Sequence, residues 1–153
     1  MVLMDEVQCL RALPFFASAD PAKLKLLAFT SDRMKFAPGQ ELFHEGDTGD
    51  SAFVILSGTA EIVVDTPSGE VKVAEAGKNS IVGEIAILCD GYRTATVRAI
   101  APMDTLRIDK ETFRKMMADC PSMMFGVMRV LANRLQATTS ELAAQKSHEE
   151  EYA

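Results

Sequence analysis

Hydrophobic positions along the chain follow two different periods, and the changeovers divide it into three parts. Between residues 5 and 30 the apolar positions recur at helical spacing. Leu10, Leu13, Phe15 and Phe16 make the first group. Ser18-Ala19-Asp20-Pro21 then reads as an N-cap followed by proline in the first helical turn, ahead of Leu24, Leu26, Leu27 and Phe29. From about Arg33 the period shortens to two. Phe36, Leu42, Phe43, Phe53, Ile55, Ala60, Ile62 and Val64 fall in short alternating runs. Turn residues separate them: Pro38-Gly39, the run from Gly46 to Asp50, Ser57-Gly58 and the run from Thr66 to Gly69. Val71 and Val73 follow, then Ile81-Val82, Thr94 to Ile100 and Thr105 to Ile108. About eight short strands with one small helix inserted predict a sandwich or jelly-roll barrel.

Helical spacing returns after Asp109. Lys110 to Ala118 predict one amphipathic helix, stopped at Cys120-Pro121 because the residue before proline resists helical angles. A second, long helix is predicted from Ser122 to about Gln145. Along it Met124, Met128, Leu131, Leu135, Thr138 and Leu142 alternate spacings of four and three, a coiled-coil-like seam with a polar interruption at Thr138. Such a seam packs either on its own barrel or on a second copy, and homodimerisation through this helix is the expectation. Four of the nine methionines lie between Met116 and Met124 and read as adaptable packing. The expected layout is one domain over 1–153, mainly β with flanking helices. N-terminal helices occupy 1–32, an eight-stranded jelly-roll β-barrel 33–108, C-terminal helices 109–146 and a polar tail 147–153.

Charge and composition narrow the function classes. The net charge of −6 disfavours a nucleic-acid surface and repels a phosphate, so any anion must be held by local groups. Three scattered cysteines, Cys9, Cys89 and Cys120, have no metal spacing and suggest reduced thiols in a cytoplasm. The first residues lack the basic region of a secretory signal, and no apolar run approaches the ~20 residues that span a bilayer. A cytoplasmic protein without membrane association is therefore expected. His44 and His148 are the only histidines, too few for a metal-dependent jelly-roll enzyme. There is no Gly-x-Ser-x-Gly elbow and no cysteine beside a plausible base. The expectation is a protein with no enzymatic activity, no metal and no cofactor. Asp47 and Asp50 resemble part of a calcium loop without its bidentate glutamate, and their glycines read as structural.

The candidate chemistry lies in Gly83-Glu84-Ile85-Ala86-Ile87-Leu88 and Arg93-Thr94-Ala95-Thr96-Val97. Glu84 and Arg93 are nine residues apart. A glycine at a helix start lets backbone approach a ligand, and the free amides that follow suit an anion. Arg93 adds a two-pronged donor for phosphate oxygens. An acid beside a phosphate site is repelled unless it accepts from hydroxyls, as a ribose provides. Acid plus arginine thus reads as a nucleotide held by sugar and phosphate; the alternative is that Glu84 and Arg93 merely pair with each other.

The stretch from Val82 to Ala99, with its cassette at 82–97, resembles the phosphate-binding cassette of the cyclic-nucleotide-binding domain family. The spacing G-E-[LI]-A, then R-[ST]-A-[TS]-V, is matched together with both charged residues. The run from Glu45 to Gly58 is also similar to that family's E-G-D-x-G-D stretch. The resemblance implies that Glu84 binds the ribose 2′-hydroxyl and Arg93 the cyclic phosphate. Gly83, Ile85, Ala86, Thr94 and Ala95 would complete the cradle. Val71, Val73 and Val82 become candidates for the purine's apolar bed, and all three could equally be core. Ile87 matches the family's hinge residue. Arg134 to Thr139 resemble the dimer helix of the family's bacterial transcription regulators, which implies that Thr138 contacts the adenine amino group and Thr139 reaches a partner. A solvent-facing Thr138, or one hydrogen-bonded back to its own helix, is the alternative. Two departures stand out: Asn79 where many members have glycine, and Tyr92 where proline is frequent.

The resemblance implies a regulatory sensor of cAMP or cGMP, with cAMP preferred because of Thr138 and the lack of a guanine-specific acid. Ligand binding would shift the terminal helix, which an unidentified protein effector reads. Helix-turn-helix, kinase, cyclase and channel sequences are missing from these residues, and with Met1 at the start and no tag a stand-alone sensor is expected over an excised piece. A degenerate fold used for protein interaction without ligand is the alternative.

Overall fold

The structure is a computed structural model that describes residues 2–89 and 91–152, with side chains described for 6–89 and 91–147. Helix α1 (Val2–Ala12), a 3-10 turn at Pro14–Phe16 and helix α2 (Pro21–Thr30) precede the strands. The cap expected at Asp20 is present: its carboxylate accepts from the Ala22 amide at 2.9 Å, with Pro21 in the first turn.

Eight strands follow in two four-stranded antiparallel sheets. They are β1 (Asp32–Phe36), β2 (Glu41–Phe43), β3 (Ser51–Ser57), β4 (Ala60–Thr66), β5 (Gly69–Ala76), β6 (Ile81–Val82), β7 (Thr96–Ala99) and β8 (Met103–Asp109). One sheet runs β1-β8-β3-β6 and the other β2-β7-β4-β5. Helix α3 (Glu84–Leu88) is inserted between β6 and β7, and α4 (Lys110–Asp119) and α5 (Pro121–Tyr152) close the chain. The mainly-β, eight-stranded jelly-roll architecture with flanking helices is as expected.

Strand β3 divides the interior. Successive side chains of a strand point to opposite faces, and both faces of β3 are covered. Phe53 and Ile55 enter a barrel core with Phe36, Val82, Val97 and Met103. Ala52, Val54 and Leu56 face outward, joining Leu106 and Ile108 beneath the helices. There Leu10, Phe15, Phe16, Leu24, Leu27, Phe113 and Met123 form a second core, with Phe16 and Phe113 edge to face at 5.9 Å. Each core is continuous with α3 or its flanks: Val82 belongs to the barrel, Ile87 to the helical core. The site segment is therefore clamped between the two.

Two elements differ in detail from expectation. Helix α5 does not stop near residue 145 but continues to Tyr152, so residues 147–152 extend a helix where a polar tail was expected. The glutamate-rich sequence there carries no glycine or proline to end it. Strand β5 carries a bulge: Val63 pairs with Lys72 and Ile62 with Ala74, leaving Val73 as the extra residue. Asn79 adopts φ +66°, the left-handed turn its neighbours need, as asparagine tolerates.

The seam question is resolved along the length of α5. Its first turns bury Met123 and Val127 against the helical core, with Val130 and Leu131 half-buried behind them. The seam residues Met124, Met128, Leu135 and Leu142 lie on a different face and are exposed. Every residue from 132 to 147 is exposed. Own-domain packing thus holds the first half, and the second half projects from the domain, touching it through Arg134.

Candidate functional site

The site is built where β6 hands over to α3. Gly83 caps α3 in the left-handed region, φ +80°, where a side chain would be strained. Space demands glycine as well: a Cβ there would lie 2.6 Å from Arg93 Nη1 and 3.0 Å from the Phe43 ring. Gly49, in the loop before β3, is equally crowded, since a Cβ would collide with Ala86 and sit 3.1 Å from Arg93 Nε. These two glycines let separate loops close around one guanidinium.

The backbone of Arg93 is stitched to the same loop. Its amide donates to the Asp47 carbonyl at 2.7 Å, and its carbonyl accepts from the Gly46 amide at 2.9 Å. The glycine-rich run after Glu45 is therefore structural, as expected, and its task is to hold the arginine. The Arg93 side chain is buried. Nη2 donates to the Ser51 carbonyl at 2.8 Å and Nη1 to the Gly83 carbonyl at 3.2 Å. The guanidinium carbon lies 4.0 Å from the Phe43 ring centroid, a cation–π contact. Burial lowers the Arg93 pKa from its usual value, with Asp50 opposing that shift. Among the described residues Arg93 has no carboxylate in ion-pair contact, and its buried Nε has no hydrogen-bond partner.

Glu84 is buried too, and it does not pair with Arg93. Its Oε1 accepts from Arg134 Nη1 on α5, fifty positions away in sequence. The Arg134 guanidinium in turn lies 5.3 Å from the Phe15 ring centroid. Glu84 Oε2 has no hydrogen-bond partner among the described residues. The pairing of Glu84 with Arg93 left open by the sequence is thereby corrected: each has a separate partner, because Arg93 points back to the β3 backbone and Glu84 outward to α5.

Between them lies a pocket of about 130 Å³. Eight of the expected residues line it: Val82, Gly83, Glu84, Ile85, Ala86, Arg93, Thr94 and Ala95. Phe43, Ile62, Tyr92 and Val97 complete the wall. Four expected residues lie elsewhere. Val73 sits at the β5 bulge, exposed and outside the lining, as is Val71; Ile62 and Val97 from the neighbouring strands supply the apolar wall instead. Thr138 is exposed on the projecting part of α5, one helical turn beyond Arg134 and outside the lining. Ile87 is fully buried in the helical core behind α3, a placement suited to transmitting cassette movement to the helices.

Sequence reasoning missed Phe43, Ser51 and Arg134 as site residues. Only Arg134 had a signal, since it begins the α5 stretch singled out for Thr138. The expected helix dipole also shrinks in importance: α3 has five residues, so an anion would be held by its free amides and Arg93 rather than by a macrodipole. Near the site, His44 Nδ1 lies 3.0 Å from Glu41 Oε1, and that carboxylate raises the histidine's pKa. No group of three His, Cys, Asp or Glu suited to a metal occurs among the described residues, and no described helix is long and apolar enough to cross a membrane.

Residues 33–120 match the model of the cyclic nucleotide-binding domain. A CRP-like cAMP-activated global transcriptional regulator from Mycobacterium tuberculosis is 30% identical over 141 residues, 92% of this chain. The chain spans 62% of that regulator's length. A cyclic nucleotide-binding-like protein from Brucella abortus is similar in structure, with a TM-score of 0.67, 31% identity, and coverage of 74% of this chain and 98% of that one. The sensor domain of the regulator DNR from Pseudomonas aeruginosa shares the fold at a TM-score of 0.81 and 21% identity, over 92% of this chain and 95% of its own. The family match covers more than half of the sequence and contains the whole Gly83-to-Val97 site, and the chain belongs to the cyclic nucleotide-binding domain family.

Proposed function

We propose that this protein binds a cyclic nucleotide in the pocket between Glu84 and Arg93 and acts as a regulatory sensor, not as an enzyme. The observation that carries this reading is Arg93: a buried guanidinium with no carboxylate partner among the described residues and an unpartnered Nε, on the wall of the pocket. A desolvated cation without a counter-ion is costly, and a bound phosphate relieves that cost. Glu84 Oε2 is free to accept a ribose hydroxyl while Arg134 holds Oε1. The purine would rest on Ile62, Val82 and Val97. Thr138 remains the proposed base contact, at the height on α5 just past Arg134. That position, and the cAMP-activated Mycobacterium tuberculosis relative, favour cAMP over cGMP.

The signal would leave through α5. The Glu84–Arg134 pair joins the ribose-binding acid to the projecting helix, so ligand contact at one oxygen biases the hold on the other. The helix then presents a different face to a second copy or to a protein effector. Thermal unfolding with each nucleotide tests the binding. Ligand at a hundredfold excess over its Kd stabilises by about 2.7 kcal/mol, so a clear rise in Tm with cAMP, a smaller one with cGMP and none in Arg93→Ala is expected. A folded, ligand-free protein whose Tm moves with neither nucleotide would refute the proposal. One observation favours the second reading, a ligand-free interaction module: Glu84 already has a cationic partner in Arg134. In that case Arg134→Gln would lower stability and no nucleotide would restore it.

A further inference from the structure

Away from the nucleotide pocket, α2 and α4 enclose a groove of about 270 Å³. Each helix contributes one stripe at i, i+3, i+4 and i+7. On α2 the stripe is Lys23, Leu26, Leu27 and Thr30; on α4 it is Thr112, Lys115, Met116 and Asp119. Leu27 and Met116 are buried and form the floor, while Leu26 is 58% exposed on the wall. Beside it Phe29 is 78% exposed, a large aromatic ring held in water by a helix whose other face is core.

The charges around this apolar strip reverse the sign of the molecule. The protein carries −6 overall, yet Lys23 and Lys115 line the groove and Lys25 stands one helical turn before Phe29. None of the three has an ion-pair partner among the described residues. Apolar floor, exposed Leu and Phe, and unpaired lysines on the rim are what an amphipathic helix with acidic flanks would cover. The groove is concave and walled by two helices, so a third helix can lie along it with one or two side chains inserted. A flat anionic membrane fits less well, because the floor at Leu27 and Met116 is recessed between the helices, out of reach of a planar surface.

We propose that the α2–α4 groove docks an amphipathic helical segment of a partner protein, with leucine or phenylalanine anchors and aspartate or glutamate on its flanks. The surface is separate from the nucleotide site, so its test stands apart from the sensor reading. A displayed library of amphipathic helical peptides would be selected against the full chain. Enriched peptides should pair helically spaced Leu or Phe with acidic flanks. Their affinity should fall at least tenfold against Phe29→Ser. Against the double variant Lys23→Glu, Lys115→Glu, lysine-flanked versions of the same peptides should bind instead. Phe29 and Lys115 are exposed and Lys23 is half-buried, and each variant is first confirmed to melt like the parent. No enrichment, enrichment without acidic flanks, or affinities unchanged in these variants would overturn the proposal. So would Phe29-dependent binding to phosphatidylserine vesicles without peptide binding, which would assign the groove to a lipid surface. Concentration-dependent dimerisation lost in Phe29→Ser would assign it to a second copy.

Discussion

Arg93 combines two tasks that usually fall to different residues. Its terminal nitrogens fasten the start of β3 to the cap of α3, while the residue lines the pocket and its buried Nε, packed beside Gly49, has no partner. Lysine keeps the charge but not the planar fork, so Arg93→Lys should lose both the backbone clamp and the directed contact. A charge-assisted hydrogen bond contributes about 1.5–3 kcal/mol, or ten- to a hundredfold in affinity. We expect Arg93→Lys to weaken cyclic-nucleotide affinity by roughly that factor and to lower the melting temperature; calorimetry and thermal unfolding separate the two. His44 supplies a pH marker beside the site. The Glu41 carboxylate raises its pKa above the usual value. A raised folded pKa means the pairing supports the fold below the unfolded value of 6.5 and is lost as pH rises through the folded one. NMR titration should therefore place His44 above its ordinary pKa in the parent and return it downward in Glu41→Gln. An unchanged midpoint in that variant would remove the pairing. The His44 side chain is half exposed, so its titration should leave global stability nearly flat.

At the scale of elements, α5 is two helices in one. Its first turns are fixed by Met123 and Val127 in the core; among the described residues beyond Leu131, Arg134 ties the remainder to the domain. Arg134 is half exposed, which limits its worth, but Glu84 is buried and would lose its partner. We expect Arg134→Gln to cost about 1 kcal/mol in urea unfolding without ligand, discounted for solvent screening. Cyclic nucleotide affinity should drop too, because an unanchored Glu84 is no longer aimed at the ribose. The free seam gives a second prediction. Residues 132–147 are sixteen exposed positions, about two heptads, with Leu135 and Leu142 one heptad apart on the seam. Sedimentation should show a dimer that Leu135→Glu with Leu142→Glu converts to monomer, and a parent that is monomeric at all concentrations would refute it.

How much of this was readable from the sequence follows from distance along the chain. The cassette was legible because its parts are local: Gly83 to Val97 carries cap, acid, connector and arginine in one stretch. The strands and their turns were legible for the same reason, since period two and turn residues are short-range signals. Contacts between remote segments were not. Nothing local says that Arg134 meets Glu84, that Phe43 covers Arg93 or that Ser51 receives it. Val71 and Val73 lie on an edge strand exposed along most of its length, with a bulge at Val73, and neither feature shows in a clean alternating pattern. The end of α5 was misread because a polar, acidic sequence suits a solvated helix as well as a coil.

Across the whole molecule, one design recurs: two cores share strand β3, and the site segment bridges them. Val82 anchors it in the barrel and Ile87 in the helical core, and the proposed signal would pass through this second anchor into the packing under α5. The net charge of −6 sets the background against an anionic ligand, so the attraction must come from Arg93 at the pocket wall and the free amides at the start of α3. The most direct test of the account is calorimetric titration of protein confirmed by mass spectrometry to be nucleotide-free. Cyclic AMP, cyclic GMP and 5′-AMP would each be titrated into the parent and into Arg93→Ala. The account predicts saturable heat with cyclic AMP, weaker binding of cyclic GMP, little with 5′-AMP, and loss of the cyclic AMP signal in the variant. A folded parent that gives no heat with either cyclic nucleotide, or an Arg93→Ala variant that binds as tightly as the parent, would contradict it.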